Sequence, residues 1–269
     1  MDIIQAIVIA IVEGLTEYLP ISSTAHMIFT STFFGIEGDD FVKMFQVSIQ
    51  FGAILAVVAL YWKKFFNFSR LNFYLKLIVA VIPALILGKL FDDKIEAVLE
   101  KPIPIALVLI VGGFVLLFID RFFTKNQLEE EEQISYKKGF IIGLWQCIAM
   151  MPGVSRAAAS IIGGMQQGLS RKLAAEFSFF LAVPTMLAVT VYSVFLKDWS
   201  FQSKEVKGYE MIFSDNTHLT FFILGNIIAF VVAMFAIKFF IGLIQKYGFA
   251  LWGWYRIIVG IFLLVYFLL

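Results

Sequence analysis

Long apolar runs alternate with short polar breaks along this chain. Stretches long enough to cross about 30 Å of hydrocarbon, near twenty residues each, fall at 41–62, 71–90, 103–119, 173–196, 219–241 and 250–269. They predict six transmembrane helices. Two further apolar regions are interrupted: 3–34 breaks at Leu19-Pro20-Ile21-Ser22-Ser23, and 139–168 breaks at Met151-Pro152-Gly153-Val154-Ser155-Arg156. Each half of such a region is too short to span. Proline cannot continue a helical ladder, and backbone freed at membrane depth is tolerated only inside protein or against a wet cavity. The expected fold is therefore an all-α integral membrane protein with six transmembrane helices and two re-entrant helix pairs.

The two broken regions resemble each other. A shift of 132 positions places Pro20 on Pro152, Ser23 on Ser155, Phe45 on Phe177, and Leu55-Ala56-Val57 on Leu187-Ala188-Val189. This predicts an N-terminal repeat over 1–128 and a C-terminal repeat over 129–269, both within one membrane domain. A broken pair plus three spans in each half makes an odd number of crossings, so the repeats should be inverted and bring their breaks together near the midplane. The Lys/Arg bias of the loops gathers Lys63, Lys64, Arg70, Arg121, Lys125, Lys137, Lys138, Arg171, Lys172 and Lys246 on one face. The other face has Lys89, Lys94, Lys101, Lys197, Lys204 and Lys207. The richer face is expected to be cytoplasmic, with both termini and the first break outside. Glu129 to Glu132 reads as a solvated loop, and Trp62, Trp199 and Trp252 as interfacial anchors.

Composition narrows the partner class. With 61% hydrophobic and 15% charged residues, the chain is far more apolar than a soluble domain. A net charge of +1 offers no basic field for nucleic acid. The single cysteine, Cys147, lies in an apolar run and reads as packing. The first apolar run lacks a basic leader and a small-residue cleavage site, and is expected to be retained.

Charge inside lipid is costly, so it marks candidate chemistry. Glu13 and Glu17 are four residues apart, on one helix face, and Ser22, Ser23, Thr24 and His26 follow at the break. At the second break the N–H groups of Gly153-Val154-Ser155-Arg156 begin a half-helix that can cradle an anion, while the Arg156 guanidinium can grip phosphate in a bidentate manner. A hydroxyl, bases for its proton, and a cation with N–H donors together make a phosphoryl-transfer set. Structural roles compete with each assignment. Glu13 and Glu17 could serve as partners of Arg156, the hydroxyls could cap the second half-helix, and His26 could be a satisfied interior histidine. The other histidine, His218, reads as a surface residue.

The run Glu13-Gly14-Leu15-Thr16-Glu17-Tyr18-Leu19-Pro20-Ile21-Ser22-Ser23-Thr24-Ala25-His26 resembles the glutamate-rich motif and the Ser-Ser-Thr-Gly-His stretch of the undecaprenyl pyrophosphate phosphatase, or bacitracin-resistance, family. Pro152-Gly153-Val154-Ser155-Arg156 is similar to that family's second motif. Likeness at Phe45-Gln46-Val47-Ser48-Ile49-Gln50-Phe51-Gly52 and Ala175-Glu176-Phe177-Ser178-Phe179 extends over nearly the whole chain. Two departures are Ala25 in place of glycine, and Ala157-Ala158-Ala159-Ser160 in place of Ser-Gly-x-Thr, which removes a hydroxyl at 157 and keeps one at Ser160.

The resemblance implies a polyprenyl diphosphate phosphatase of the bacterial cytoplasmic membrane, with its active site facing outward. It would recycle the carrier lipid for peptidoglycan synthesis and give bacitracin resistance. It implies Ser23, Glu17, His26 and Arg156 as catalytic residues, with Ser23 as nucleophile and Glu17 or His26 as base. In a competing scheme Glu17 activates water directly and Ser23 is only a ligand. Glu13, Ser22, Thr24, Gly153, Ser155 and Ser160 would bind substrate, and Glu13 with Glu17 would hold a divalent cation, Mg²⁺ or Ca²⁺. Expected partners are the lipid substrate and the bilayer, with a homodimer allowed. Rival readings are a lipid flippase or secondary transporter, by analogy of fold, and the acid-phosphatase-like class. That class places a histidine where this chain has Ile162.

Overall fold

The computed structural model of the protein describes residues 1–67, 70–91, 94–95, 101–123 and 128–269. Lys125, expected on the basic face, lies outside them. Helices α1 (Ile3–Thr16) and α2 (Ser23–Phe33) form the first broken pair, followed by α3 (Asp40–Ser48), α4 (Gln50–Leu60), the short α5 (Trp62–Phe65), α6 (Leu71–Leu90) and α7 (Pro102–Phe122). Helices α8 (Tyr136–Cys147) and α9 (Arg156–Gln166) form the second pair, followed by α10 (Arg171–Val191), α11 (Gly208–Ile212), α12 (Asn216–Tyr247) and α13 (Ala250–Leu268). Among the described residues, six helical stretches are long and apolar enough to cross a membrane, each matching a predicted span. Their outward faces carry exposed Val111, Phe235, Ile258 and Phe262. Such a surface is stable only against lipid, so the chain is a multi-pass membrane protein.

Local chemistry sets the short helices. Asp2 accepts from the Gln5 N–H at 2.9 Å and the Gln5 side chain accepts from the Asp2 N–H at 2.7 Å, a capping box that starts α1. Helix α1 packs along α12 and α8 packs along α6, so each broken pair leans on a long helix from the other half. Helices α7 and α13 meet at Gly113 and Gly253, where a Cβ on either would sit 2.8 Å from the other's carbonyl oxygen. Only glycine lets the two backbones approach this closely. The largest core cluster joins Tyr18, Phe177, Phe179, Phe180, Phe240 and Trp252.

Several expectations change. The first span is interrupted at Ile49, which separates α3 from α4. A hairpin, β1 (Asp198–Phe201) and β2 (Lys204–Lys207), interrupts the all-helical pattern, turning through Gln202 and Ser203 at φ of 51° and 64°. Of the three tryptophans expected as anchors, Trp199 and Trp252 are buried and Trp62 is exposed; the Trp199 indole donates to the Ser193 carbonyl at 2.9 Å. Glu131 is buried and held by Lys64 at 3.2 Å and by Arg70, while Glu129, Glu130 and Glu132 are exposed, so one residue of the acidic run departs from a solvated loop. His218 stacks on Phe41 with centroids 3.8 Å apart.

Candidate active site

Both breaks are built alike. Helix α1 ends at Glu17, and the chain re-enters α2 through Ser22, whose hydroxyl caps the Ala25 N–H at 3.4 Å. At the second break Ser155 caps the Ala158 N–H at 3.2 Å. The two serines share an unusual backbone, φ 70° and ψ 91° at Ser22, φ 77° and ψ 117° at Ser155. The shift of 132 that pairs the prolines is therefore one short at the caps. Ser22 matches Ser155, and Ser23 matches Arg156, each at the first position of its helix.

These first positions face each other through Glu17. Its Oε2 accepts from the Ser23 hydroxyl at 2.6 Å, and its Oε1 accepts from Arg156 Nη2 at 2.7 Å. Both partners of the ion pair are buried, with side-chain exposures of 9% for Arg156 and 5% for Glu17, so the pair is little screened by solvent. Arg156 Nη1 donates to the Ser178 carbonyl at 3.0 Å, and the guanidinium lies 5.7 Å over the Tyr18 ring. Its Nε is a buried donor with no partner among the described residues, open to an anion. Glu13 is fully buried against Glu17, close enough for the two carboxyls to share a proton, and among the described residues no other group bonds its oxygens. Chemically, the arrangement offers a hydroxyl already bonded to a carboxylate, a cation one bond away, and unfilled helix N-terminal donors at both breaks.

The family model described as bacitracin resistance protein BacA matches residues 6–262. The chain belongs to this family. A Flavobacterium psychrophilum protein named undecaprenyl-diphosphatase is 52% identical over 267 residues, covering 98% of this chain and 96% of that one. Proteins of the same name from Porphyromonas gingivalis and Persephonella marina are 48% and 45% identical, each aligned over at least 96% of both chains.

Within this BacA-family site, the remaining predicted residues fall into two groups. Ser160 sits behind Arg156, bonded to the Arg156 carbonyl at 2.8 Å and to the Ser178 hydroxyl at 2.7 Å. Ser155 donates to the Leu19 carbonyl at 3.4 Å, joining one break to the other. Gly153 has a φ of 94° and turns the chain into the second break. His26 stands apart from the Glu17 bridge. Its Nδ1 lies 2.7 Å from the Ser22 carbonyl, which can only accept, so Nδ1 carries the proton and Nε2 accepts from the Tyr255 hydroxyl at 2.9 Å. Thr24 lines a cleft of about 340 Å³ with Gln46, Gln50, Lys43, Lys197 and Trp199. Ser23, Glu17 and Arg156 are not among its lining residues.

Three neighbours escaped the sequence reading: Ser178, Tyr255 and Arg256. Arg256 left a visible signal, a charge in the middle of the last apolar run. Ser178 lay within the family-like stretch 175–179 without being singled out, and Tyr255 left no signal, since a lone tyrosine in an apolar helix is common.

Proposed function

We propose that this protein hydrolyses undecaprenyl diphosphate to undecaprenyl phosphate and inorganic phosphate, a reaction in line with the name undecaprenyl-diphosphatase that its relatives carry. That reaction recycles the carrier lipid of peptidoglycan synthesis and gives bacitracin resistance. The observation that carries the reading is the buried Glu17 carboxylate shared between the Ser23 hydroxyl and Arg156. A transporter needs no such bridge, and the relatives' names do not favour one.

In the proposed sequence Ser23 Oγ attacks the terminal phosphorus and its proton passes to Glu17 Oε2. The bond from phosphorus to the bridging oxygen breaks, and undecaprenyl phosphate leaves. Arg156, through Nε and the guanidinium face, stabilises the equatorial oxygens, aided by the N–H groups at the start of α9. Water then attacks the phosphoserine, releases inorganic phosphate and restores Ser23. The 2.6 Å contact favours Glu17 over His26 as the base; His26 fixes the Ser22 carbonyl and so the turn into α2.

A divalent cation fits this donor set. Magnesium is commonly held by one or two carboxylates plus substrate phosphate oxygens, and Glu13 presents two buried oxygens with no donor beside Glu17. Glu13 and Glu17 would hold it, and the ion would neutralise charge on the diphosphate. Thr24, in the cleft wall, leads toward the substrate entrance.

The two broken pairs are read as re-entrant, and the halves 1–128 and 129–269 as inverted repeats, supported by the reciprocal packing of α1 on α12 and α8 on α6. In the bacterial cytoplasmic membrane, the end carrying Lys64, Arg70 and Arg171 would face the cytoplasm and the end carrying the hairpin would face outward with the catalytic break. Purified wild-type protein in detergent should release phosphate from undecaprenyl diphosphate, and Arg156→Ala should abolish most of that release. A wild type that binds the diphosphate under every divalent-ion condition and never hydrolyses it would return the reading to transport.

A further inference from the structure

Arg256, in the middle of α13, has 1% of its surface exposed. All five of its N–H donors end on backbone carbonyls: Nε on Leu109 at 3.3 Å, Nη1 on Pro20 at 3.0 Å and Val154 at 2.9 Å, Nη2 on Val108 at 3.4 Å and Gly153 at 2.7 Å. Among the described residues, no ion pair includes it, so carbonyl dipoles alone meet its charge. A buried charge without a counter-ion is expensive, and a merely space-filling residue would not need to be arginine.

The carbonyls it holds have a specific place. Pro20 precedes Ser22 by two residues, and Gly153 and Val154 lead directly into Ser155. Ser22 and Ser155 occupy backbone conformations that side-chain-bearing residues rarely adopt and that persist only when the surroundings impose them. One planar fork thus grips the chain just before both strained caps. Ser23 and Arg156 are the next residues along. In a trans peptide the N–H points opposite to the C=O, so holding the Val154 carbonyl also aims the Ser155 N–H away from Arg256.

We propose that Arg256 is a positioning residue: by clamping the carbonyls of Pro20, Gly153 and Val154, it sets the placement of Ser23 relative to Arg156 across the two halves of the site. This rests on the hydrolytic reading above. Lysine cannot replace it, because a point-like ammonium with three donors does not reproduce the planar fork. Gly112 on α7 gives an independent handle, because a Cβ there would overlap Nη2 and push the guanidinium aside while keeping its charge.

The test measures phosphate release from undecaprenyl diphosphate by wild type, Arg256→Lys, Gly112→Ala, Arg156→Ala and the Arg256→Lys/Arg156→Ala double variant, all purified in detergent. Misplacing reacting groups by about 1 Å costs about 100-fold in rate, so Arg256→Lys and Gly112→Ala should each lower kcat by about that factor with KM little changed. The double variant should lose far less than the product of the two single losses. Should Arg256→Lys fail to fold, Gly112→Ala alone carries the test. Wild-type turnover with Gly112→Ala and any folded Arg256→Lys within about twofold of wild type, or single losses that multiply to within about twofold in the double, would overturn the positioning role while leaving the hydrolytic reading intact. A wild type without phosphate release would overturn both.

Discussion

Glu13 is the least satisfied acidic group at the site, and this yields a prediction about stability opposite in sign to most core substitutions. Its carboxyl is fully buried with Glu17 as its only close partner among the described residues, and ionising it would place a second negative charge where Arg156 already pairs with Glu17. With Glu13 ionised the formal charges of Glu13, Glu17 and Arg156 sum to −1; Glu13→Leu leaves the neutral Glu17–Arg156 pair. Leucine nearly conserves volume, so neither cavity nor overpacking offsets the gain. Leaving a buried polar group unsatisfied costs about 1–3 kcal/mol, more when charged, so Glu13→Leu should stabilise the protein by at least about 1 kcal/mol in the absence of divalent cations. For a chain of this size that corresponds to a rise in Tm of about 2–4 °C per kcal/mol. Glu13→Gln should gain less, because its amide stays unsatisfied. Cys147 is the only cysteine and is half-buried, so a thiol-reactive dye during heating reports unfolding directly. The same variant should lose at least about tenfold in turnover, which is about 1.4 kcal/mol of transition-state stabilisation. A Tm lowered by Glu13→Leu would show that Glu13 is a structural partner and refute the reasoning.

A chelator should depress wild-type phosphate release and Mg²⁺ or Ca²⁺ should restore it, whereas the residual turnover of Glu13→Leu should respond weakly to both. Single cysteines at Lys63 and Glu130, in a Cys147→Ser background, should be labelled only from the cytoplasm, and one at Lys204 only from outside; reversed labelling overturns the orientation. Gly52→Ala should lower stability by about 1–3 kcal/mol, read by the thermal midpoint, because a Cβ there lies 2.8 Å from backbone carbon atoms of Asn226 and forces α4 off α12.

Apolar run length was enough to locate every span, because the cost of an unpaired backbone in lipid leaves few alternatives to a helix of about twenty residues. The prolines likewise marked both breaks, and intramembrane charge pointed to Glu17 and Arg156. Equivalence of the breaks was legible only to within one residue. The second loop holds one more residue between proline and cap than the first, a difference that backbone dihedrals reveal and sequence matching does not. The hairpin was hidden because Gln202-Ser203 lacks the Asn or Gly that usually accompanies positive φ at both turn positions. Trp199 and Trp252 misled because the end of an apolar run is also where the chain folds back and buries large side chains. Arg256 was overlooked although the same intramembrane-charge argument that selected Arg156 applied to it; its distance from both motifs, more than 100 positions from Arg256 to Ser155 in the chain, concealed the contact.

In the proposed reaction Ser23 attacks phosphorus with Glu17 as its base. Turnover of Ser23→Ala on undecaprenyl diphosphate tests it most directly, because the change removes the attacking oxygen while loss of a helix N-terminal hydroxyl costs at most about 2 kcal/mol of stability. Folded protein is expected, with turnover lower by several orders of magnitude, as with other lost nucleophiles. Turnover within about tenfold of wild type, a change of only about 1.4 kcal/mol in the barrier, would contradict it and transfer the attack to water.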